Sequence, residues 1–344
     1  MKLRIILLIV GVVALFILNI FFGSVHIDAA EVLHTLFPFI PDGSLPITGE
    51  GLGRGSATSY IILGSRLPTA LTAMLAGAGL ATAGLLLQTS FHNPLAGPSI
   101  LGISSGANLG VAIVMLSFGG TITAGLYSWS GYLAVVGAAF IGSLLIMALL
   151  LFFSSLLKNN LMLLITGIMM GYVTSSIISL LNFLASVENI QSFLIWGMGN
   201  FNSVSMQQMP IFASLCVIGL FLALLLMKPL NAILLGESYA TNLGIDIQRT
   251  RNLLLLATGI LTAVITAYCG PVAFLGLATP HVAFLLLGTS NHRVLLPVTM
   301  LTGAVLALLC NLLCTLPSTT VIPLNAVTPI LGAPVILYII LRRK

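Results

Sequence analysis

Side chains able to do chemistry are scarce here, and the few that exist are spaced in ways that exclude most reactions. His281 follows Pro280 within a short apolar run and is the one clear ionisable group in any membrane-length segment, whereas Glu188, Glu237 and Asp246 fall in polar connections. A charge in lipid is expensive, so His281 is expected to make a structural hydrogen bond beside the proline break. Proton-coupled carriers need intramembrane carboxylates or similar relays, and none is present. Sodium sites built from carbonyls and hydroxyls would leave no such mark. No catalytic dyad or aspartate pair can be assembled for an intramembrane protease. Cys216, Cys269, Cys310 and Cys314 all lie in apolar stretches. Although Cys310 and Cys314 share a helical face, no His or carboxylate accompanies them, and all four read as small packing residues rather than metal ligands. No G-x-x-x-x-G-K-[ST] phosphate loop occurs, so ATP-driven work would have to be done by a separate subunit.

The elements that must position these residues are membrane helices. The 344 residues are 58% hydrophobic and only 6% charged, with a mean hydropathy of +1.17; soluble domains carry roughly 25% charged residues. Ten spans are expected in one integral domain, residues 1–344. Ile5–Phe22 is longer than a secretory h-region and reads as a retained first span. The others fall near Tyr60–Gln88, Ser99–Phe118, Gly131–Phe153, Leu161–Ala185, Met209–Met227, Asn252–Cys269, Phe274–Gly288, Leu295–Leu316 and Val327–Leu341. Gly270-Pro271 and Pro280 place irregular backbone at membrane depth, which is tolerable only where protein or a cavity surrounds it.

Charge orients the chain. With the N-terminus inside, Lys2, Arg4, Lys158, Lys228, Arg249, Arg251, Arg293, Arg342, Arg343 and Lys344 lie on the cytoplasmic side, leaving Arg54 and Arg66 outside. That is the distribution the positive-inside rule demands of both termini in the cytoplasm. It also accounts for the net charge of +5 without nucleic acid, since no basic stripe exists. Residues 23–59 hold four of the seven acidic residues and form an exterior loop, with a short amphipathic helix expected over Ala29–Leu36.

Two stretches stand out by pattern. In Ser65–Gly110, an apolar run from Leu67 to Leu87 is broken by His92-Asn93-Pro94, and Gly102, Gly106 and Gly110 follow at intervals of four. Such spacing lets helix backbones approach closely. Residues 228–251 form an interior loop whose centre, Leu235 to Asp246, fits two short helices divided at Gly244. Composition alone also fits an ordinary solvated loop.

The order of these parts resembles the FecCD-type permeases, membrane subunits of bacterial ABC importers for iron-siderophores, haem and vitamin B12. The resemblance rests on Arg66-Leu67-Pro68, Gln88, Asn93-Pro94-Leu95-Ala96, Pro98 and Ile100 to Ala107, including Gly106. It continues in Leu235-Gly236-Glu237, Ala240 and Leu243-Gly244, in Gly270-Pro271-Val272-Ala273-Phe274 with Pro280-His281, and in His292 to Pro297. Pro323, Val327-Thr328 and Leu331 to Pro334 echo the last-helix pattern. The resemblance implies a type II ABC importer permease fold acting as a homodimer with two copies of an ATPase, which would hold the ATP and Mg; this chain would be no enzyme and carry no cofactor or metal. It implies a coupling segment at Gly236, Glu237, Ala240, Leu243 and Gly244. It also implies an exterior binding protein docked through Arg66 and Arg54, and a pathway along the dimer axis lined by the fifth and tenth helices. Thr166, Met170 and Ser175 are the expected lining residues of the fifth; packing of its glycines and hydroxyl bonds within the helix are the competing reading.

Several positions depart from the family pattern. Thr69 and Thr315 stand where members often carry arginines, Phe284 replaces a common arginine after P-H-x-x, and P-V-G reads Pro323-Leu324-Asn325. Contacts with an exterior partner are therefore expected to differ. An ion-coupled secondary carrier and a membrane-embedded enzyme are the rival functions.

Overall fold

A computed structural model describes residues 2–25, 27–36, 57–119, 121–124, 127–157, 159–317 and 321–342. The described residues form fourteen helices and one hairpin. In chain order the first helices are α1 (Lys2–Phe21), α2 (Ala29–Leu36), α3 (Ala57–Ser90) and α4 (Ile103–Ser117). The hairpin β1 (Thr121–Ala124) and β2 (Tyr127–Ser130) precedes α5 (Tyr132–Leu156), α6 (Asn160–Leu184), α7 (Val187–Gly197) and α8 (Met209–Leu225). Then come α9 (Met227–Ile233), α10 (Glu237–Asn242), α11 (Ile247–Cys269), α12 (Leu275–Leu287), α13 (His292–Thr315) and α14 (Leu324–Arg342).

Six helices are long and apolar enough to cross a membrane, and the bent pair α8–α9 makes a seventh. The shorter apolar helices over Ile103–Ser117, Leu275–Leu287 and Leu324–Tyr338 complete the expected ten. Two features depart from a purely helical reading. The antiparallel hairpin pairs Thr121 with Ser130 and Ala124 with Tyr127, in a segment rich in β-branched and aromatic residues. α7 is an additional short helix started by the Ser186 side chain, which accepts from Asn189 N–H.

The bundle is built around α3. Its apolar window is 83% buried, against 11% for α1 and 22% for α6, and α13, α12, α11 and α8 pack about it. A helix apolar on every side belongs inside. The close packing depends on missing side chains. A Cβ built on Gly77 would lie 2.2 Å from Gly303 O, and one on Gly84 only 1.6 Å from Gly276 O. Pro280 explains the second contact: lacking an N–H, it frees the carbonyl four residues earlier, which is that of Gly276. On the other flank, Gly106 meets Gly142 O and Gly110 meets Ala138 O as α4 crosses α5. Gly102 does not share that face as the spacing predicted. It sits at φ 78 as the residue before α4, against Gly167 O of α6, because Ser99–Gly102 turns rather than continuing the helix.

Lys2, Arg4, Lys228, Arg249, Arg251 and Arg293 lie at helix ends that alternate along the chain in the way one end of a bundle requires, hereafter the basic end. Arg66 is the one basic residue at the opposite end among the described residues; Arg54 lies outside them.

Gly84→Ala should therefore destabilise the protein by about 1–3 kcal/mol through overpacking. Gly137→Ala, where a Cβ meets nothing within 4 Å, should be neutral or stabilising by up to about 1 kcal/mol. Thermal unfolding of the two variants in detergent compares them directly.

Candidate functional site

The segment between α8 and α11 leaves the bundle at its basic end. α9 departs from α8 at 48° and is held by Leu230 and Ile233, both buried. Gly236, at φ 112, then turns the chain into α10, and Gly244, at φ 80, ends it. Gly244 divides two helices as the sequence suggested, but the second is the long α11 rather than a short one, and Gly236 makes a further break from α9. A left-handed φ stops a helix, and both glycines adopt one. After Gly244, Asp246 caps α11 by accepting from Arg249 N–H at 2.9 Å, so Arg249 and Arg251 belong to a helix rather than a loop.

α10 has two faces. Ala240 is fully buried and packs with Ala232, Ile233, Ile245 and Ile247. Leu235, Tyr239 and Leu243 point away from the bundle, each at least half exposed. Of the expected coupling residues, Ala240 therefore anchors the segment, while Leu243 belongs to its outward surface.

Glu237 ties this segment to the helices. Its Oε1 accepts from Asn160 Nδ2 at 2.6 Å, and the same amide donates to Ser90 O at 3.0 Å. Arg251 Nη2 stands 3.9 Å from Glu237 Oε1, while its Nη1 donates to Leu157 O. The first residue of α10 thus meets the first turn of α6 and Arg251 of α11, and through the Asn160 amide it is linked to the last residue of α3. A displacement of α10 reaches three spans through these contacts. Asn160 and Arg251 were not singled out by sequence; the Asn159-Asn160 pair opening a span was the available signal, since Asn159 also caps α6 by accepting from Leu161 N–H.

Beside this junction the proline-broken turn is stitched to α12. Asn93 Oδ1 accepts from Leu95 N–H, Gln88 Nε2 donates to Leu277 O at 3.0 Å, and His281 Nε2 lies 2.8 Å from Pro94 O. His281 makes the hydrogen bond expected of it. Gln88, Pro94 and His281 also line, with Leu234, a cleft of about 580 Å³ whose polar lining further includes Thr89, His92, Ser290 and His292.

At the opposite end, Arg66 is turned inward. Only 7% exposed, its guanidinium donates to Ile20 O and Phe21 O, carbonyls that α1 leaves unpaired at its C-terminus, and to Val25 O just beyond. In this chain the charge expected to dock an exterior partner is engaged with the chain's own backbone. Thr69 and Thr315 are likewise bonded within their helices, to Ser65 O and Asn311 O.

α6 presents a long unpartnered apolar face. Ile165, Met169, Tyr172, Val173, Leu180 and Phe183 are exposed on it, and on α14 so are Ile330, Leu337 and Leu341. The three expected lining residues separate. Ser175 is exposed, whereas Met170 packs against the core near Gly102. Thr166 is half-buried and spends its hydroxyl on Met162 O.

Residues 8–342 match the FecCD transport family. The vitamin B12 import system permease protein BtuC of Citrobacter koseri is 34% identical over 282 residues, covering 81% of this chain and 82% of that protein. BtuC of Klebsiella pneumoniae is 35% identical over 280 residues, with the same coverage. A solved ABC transporter described as of metal-chelate type, in an inward-facing conformation, superposes with a TM-score of 0.77 at 28% identity, over 96% of this chain and 98% of that one. PsaBC from Streptococcus pneumoniae, solved with an Fab, shares the fold with a TM-score of 0.51 at 15% identity over 79% of this chain and 90% of that one. The chain belongs to the FecCD transport family.

Two substitutions test the local readings. Arg66→Ala strands the α1 carbonyls and should cost about 1.5–3 kcal/mol, whereas exposed Arg249→Ala should change stability by less than about 0.5 kcal/mol; thermal unfolding in detergent reads both. Asn160→Ala removes the amide shared by Ser90 and Glu237. Hydrogen exchange of residues 236–244 should accelerate severalfold, with less change in α13.

Proposed function

We propose that this chain is the permease of a bacterial ATP-driven importer for chelates of the iron-siderophore, haem or cobalamin kind. It works as a homodimer with two copies of a separate ATPase and receives cargo from an exterior binding protein. Family membership supports the class, and the vitamin B12 permeases and the metal-chelate transporter to which it is similar support the cargo chemistry. The single observation that carries the mechanism is α10, held outside the bundle between two left-handed glycines and joined through Glu237 to α6, α3 and α11.

The protein is a multi-pass component of the bacterial inner membrane with both termini in the cytoplasm. The concentration of lysine and arginine at one end of the bundle supports that orientation. ATP and Mg²⁺ belong to the partner ATPase, and no covalent step is assigned to this chain. Closure of the ATPase pair pushes α10 through Leu235, Tyr239 and Leu243. Glu237 passes the movement to the first turn of α6, and the pathway opens alternately to either side of the membrane. The exposed faces of α6 and α14 are largely apolar and include hydroxyls such as that of Ser175, which suits passage of a bulky chelate without trapping it.

Reconstitution into liposomes with and without the ATPase separates this reading from an ion-coupled carrier. Uptake should require both ATPase and ATP, and uptake that persists without the ATPase and follows an ion gradient would overturn the importer. Within the assembled complex, Glu237→Ala or Gly244→Val should lower uptake at least about tenfold while ATP hydrolysis continues; a tenfold loss corresponds to about 1.4 kcal/mol. Unchanged uptake at equal abundance would remove α10 from the mechanism.

A further inference from the structure

At the end of the bundle opposite the basic one, three irregular stretches meet: residues 197–200 after α7, residues 269–274 between α11 and α12, and residues 323–325 at the start of α14. One side chain serves all three. Asn325 Nδ2 donates to Pro271 O at 2.7 Å and to Gly197 O at 3.1 Å, while its Oδ1 accepts from Ala273 N–H at 3.0 Å. Its backbone N–H donates to Met198 O, Leu324 N–H to Gly199 O, and Asn200 N–H to Cys269 O. An amide offers two N–H donors and a carbonyl acceptor, and here all of them are engaged.

The geometry these bonds hold is unusual. Phe274 adopts φ 65, rare for a bulky residue. Gly199 and Gly270 also have positive φ; a Cβ on Gly270 would lie 2.6 Å from Trp196 O, and one on Gly199 2.8 Å from Pro271 O. A strained residue persists only where its surroundings over-determine it. Asn325 holds Ala273 N–H, one peptide before Phe274, and Leu275 N–H donates to Ala273 O at 2.8 Å across the strained residue.

We propose that Asn325 is a positioning residue that locks α7, the α11–α12 break and the first turn of α14 into one body, which moves as a unit when the outer side of the pathway opens. This rests on the alternating-access reading, but the lock itself can be measured without cargo or partner. Cys269 supplies the probe: it is a buried free thiol at the edge of the junction. In a background with Cys216, Cys310 and Cys314 replaced by alanine, Cys269 should react with a maleimide about tenfold faster in Asn325→Asp than in the parent. The aspartate keeps the acceptor for Ala273 N–H but sets an oxygen against the carbonyls of Gly197 and Pro271. Asn325→Ala should also react faster, and ATP-driven uptake by the assembled complex should fall at least fivefold in both variants at equal abundance.

Labelling within twofold of the parent overturns the lock, and accelerated labelling with unchanged uptake overturns its role in transport. Failure of the parent complex to transport any chelate with ATP would instead count against the importer reading and leave the labelling result standing. Should neither variant fold, hydrogen exchange on the unaltered complex decides: peptides covering 197–200, 270–275 and 323–326 should change together between nucleotide-free and ATP-bound states, and independent changes would overturn the proposal.

Discussion

Inside a bilayer every backbone N–H and C=O must find its partner within the protein, and this bundle has several places where helical bonding cannot supply one. Several polar side chains of the spans are spent there. Arg66 takes the carbonyls at the end of α1, and Gln88 and His281 join the Asn93-Pro94 turn to α12. Asn160 takes the last carbonyl of α3, and Asn325 the carbonyls around the α11–α12 break. Their partners are distant in sequence, so satisfying a local deficit also fixes how two helices meet. Polar residues that would be costly alone thereby become joints of the bundle.

A second constraint is proximity. Lipid offers helices little hydrophobic reason to associate, and contact area must come from backbones that approach closely. Gly77 against Gly303, Gly84 against Gly276 and Gly106 against Gly142 provide it. The best-packed helices are therefore the ones with the fewest side chains at their crossings. By contrast α6 and α14 keep large apolar residues on an unpartnered side. The chain divides into a tightly crossed body and an apolar surface that none of the described residues covers.

Much of this was legible in the sequence because its causes are local. Ten apolar segments, the Ala29–Leu36 helix, the proline breaks and the hydrogen bond at His281 follow from hydropathy, charge and the missing proline N–H. What escaped depends on partners far along the chain. Nothing near Arg66 says that its guanidinium turns to Ile20 and Phe21 rather than outward, and nothing near Glu237 identifies Asn160 as its donor. Gly244 was legible as a helix breaker, whereas Gly236, with a positive φ of its own, was not singled out as one. Asn325 was visible only as a departure from the family pattern, and its meaning required seeing which three stretches converge on it.

The first helix carries a consequence for how the protein is made. Asn19 donates to Leu308 O, 289 residues later, and accepts from Asn311, while the carbonyls at the end of α1 wait for Arg66. On the ribosome α1 emerges long before these partners. Its contacts with α3 can form early, but the bonds of Asn19 exist only once α13 has been made, so this helix is completed in two stages.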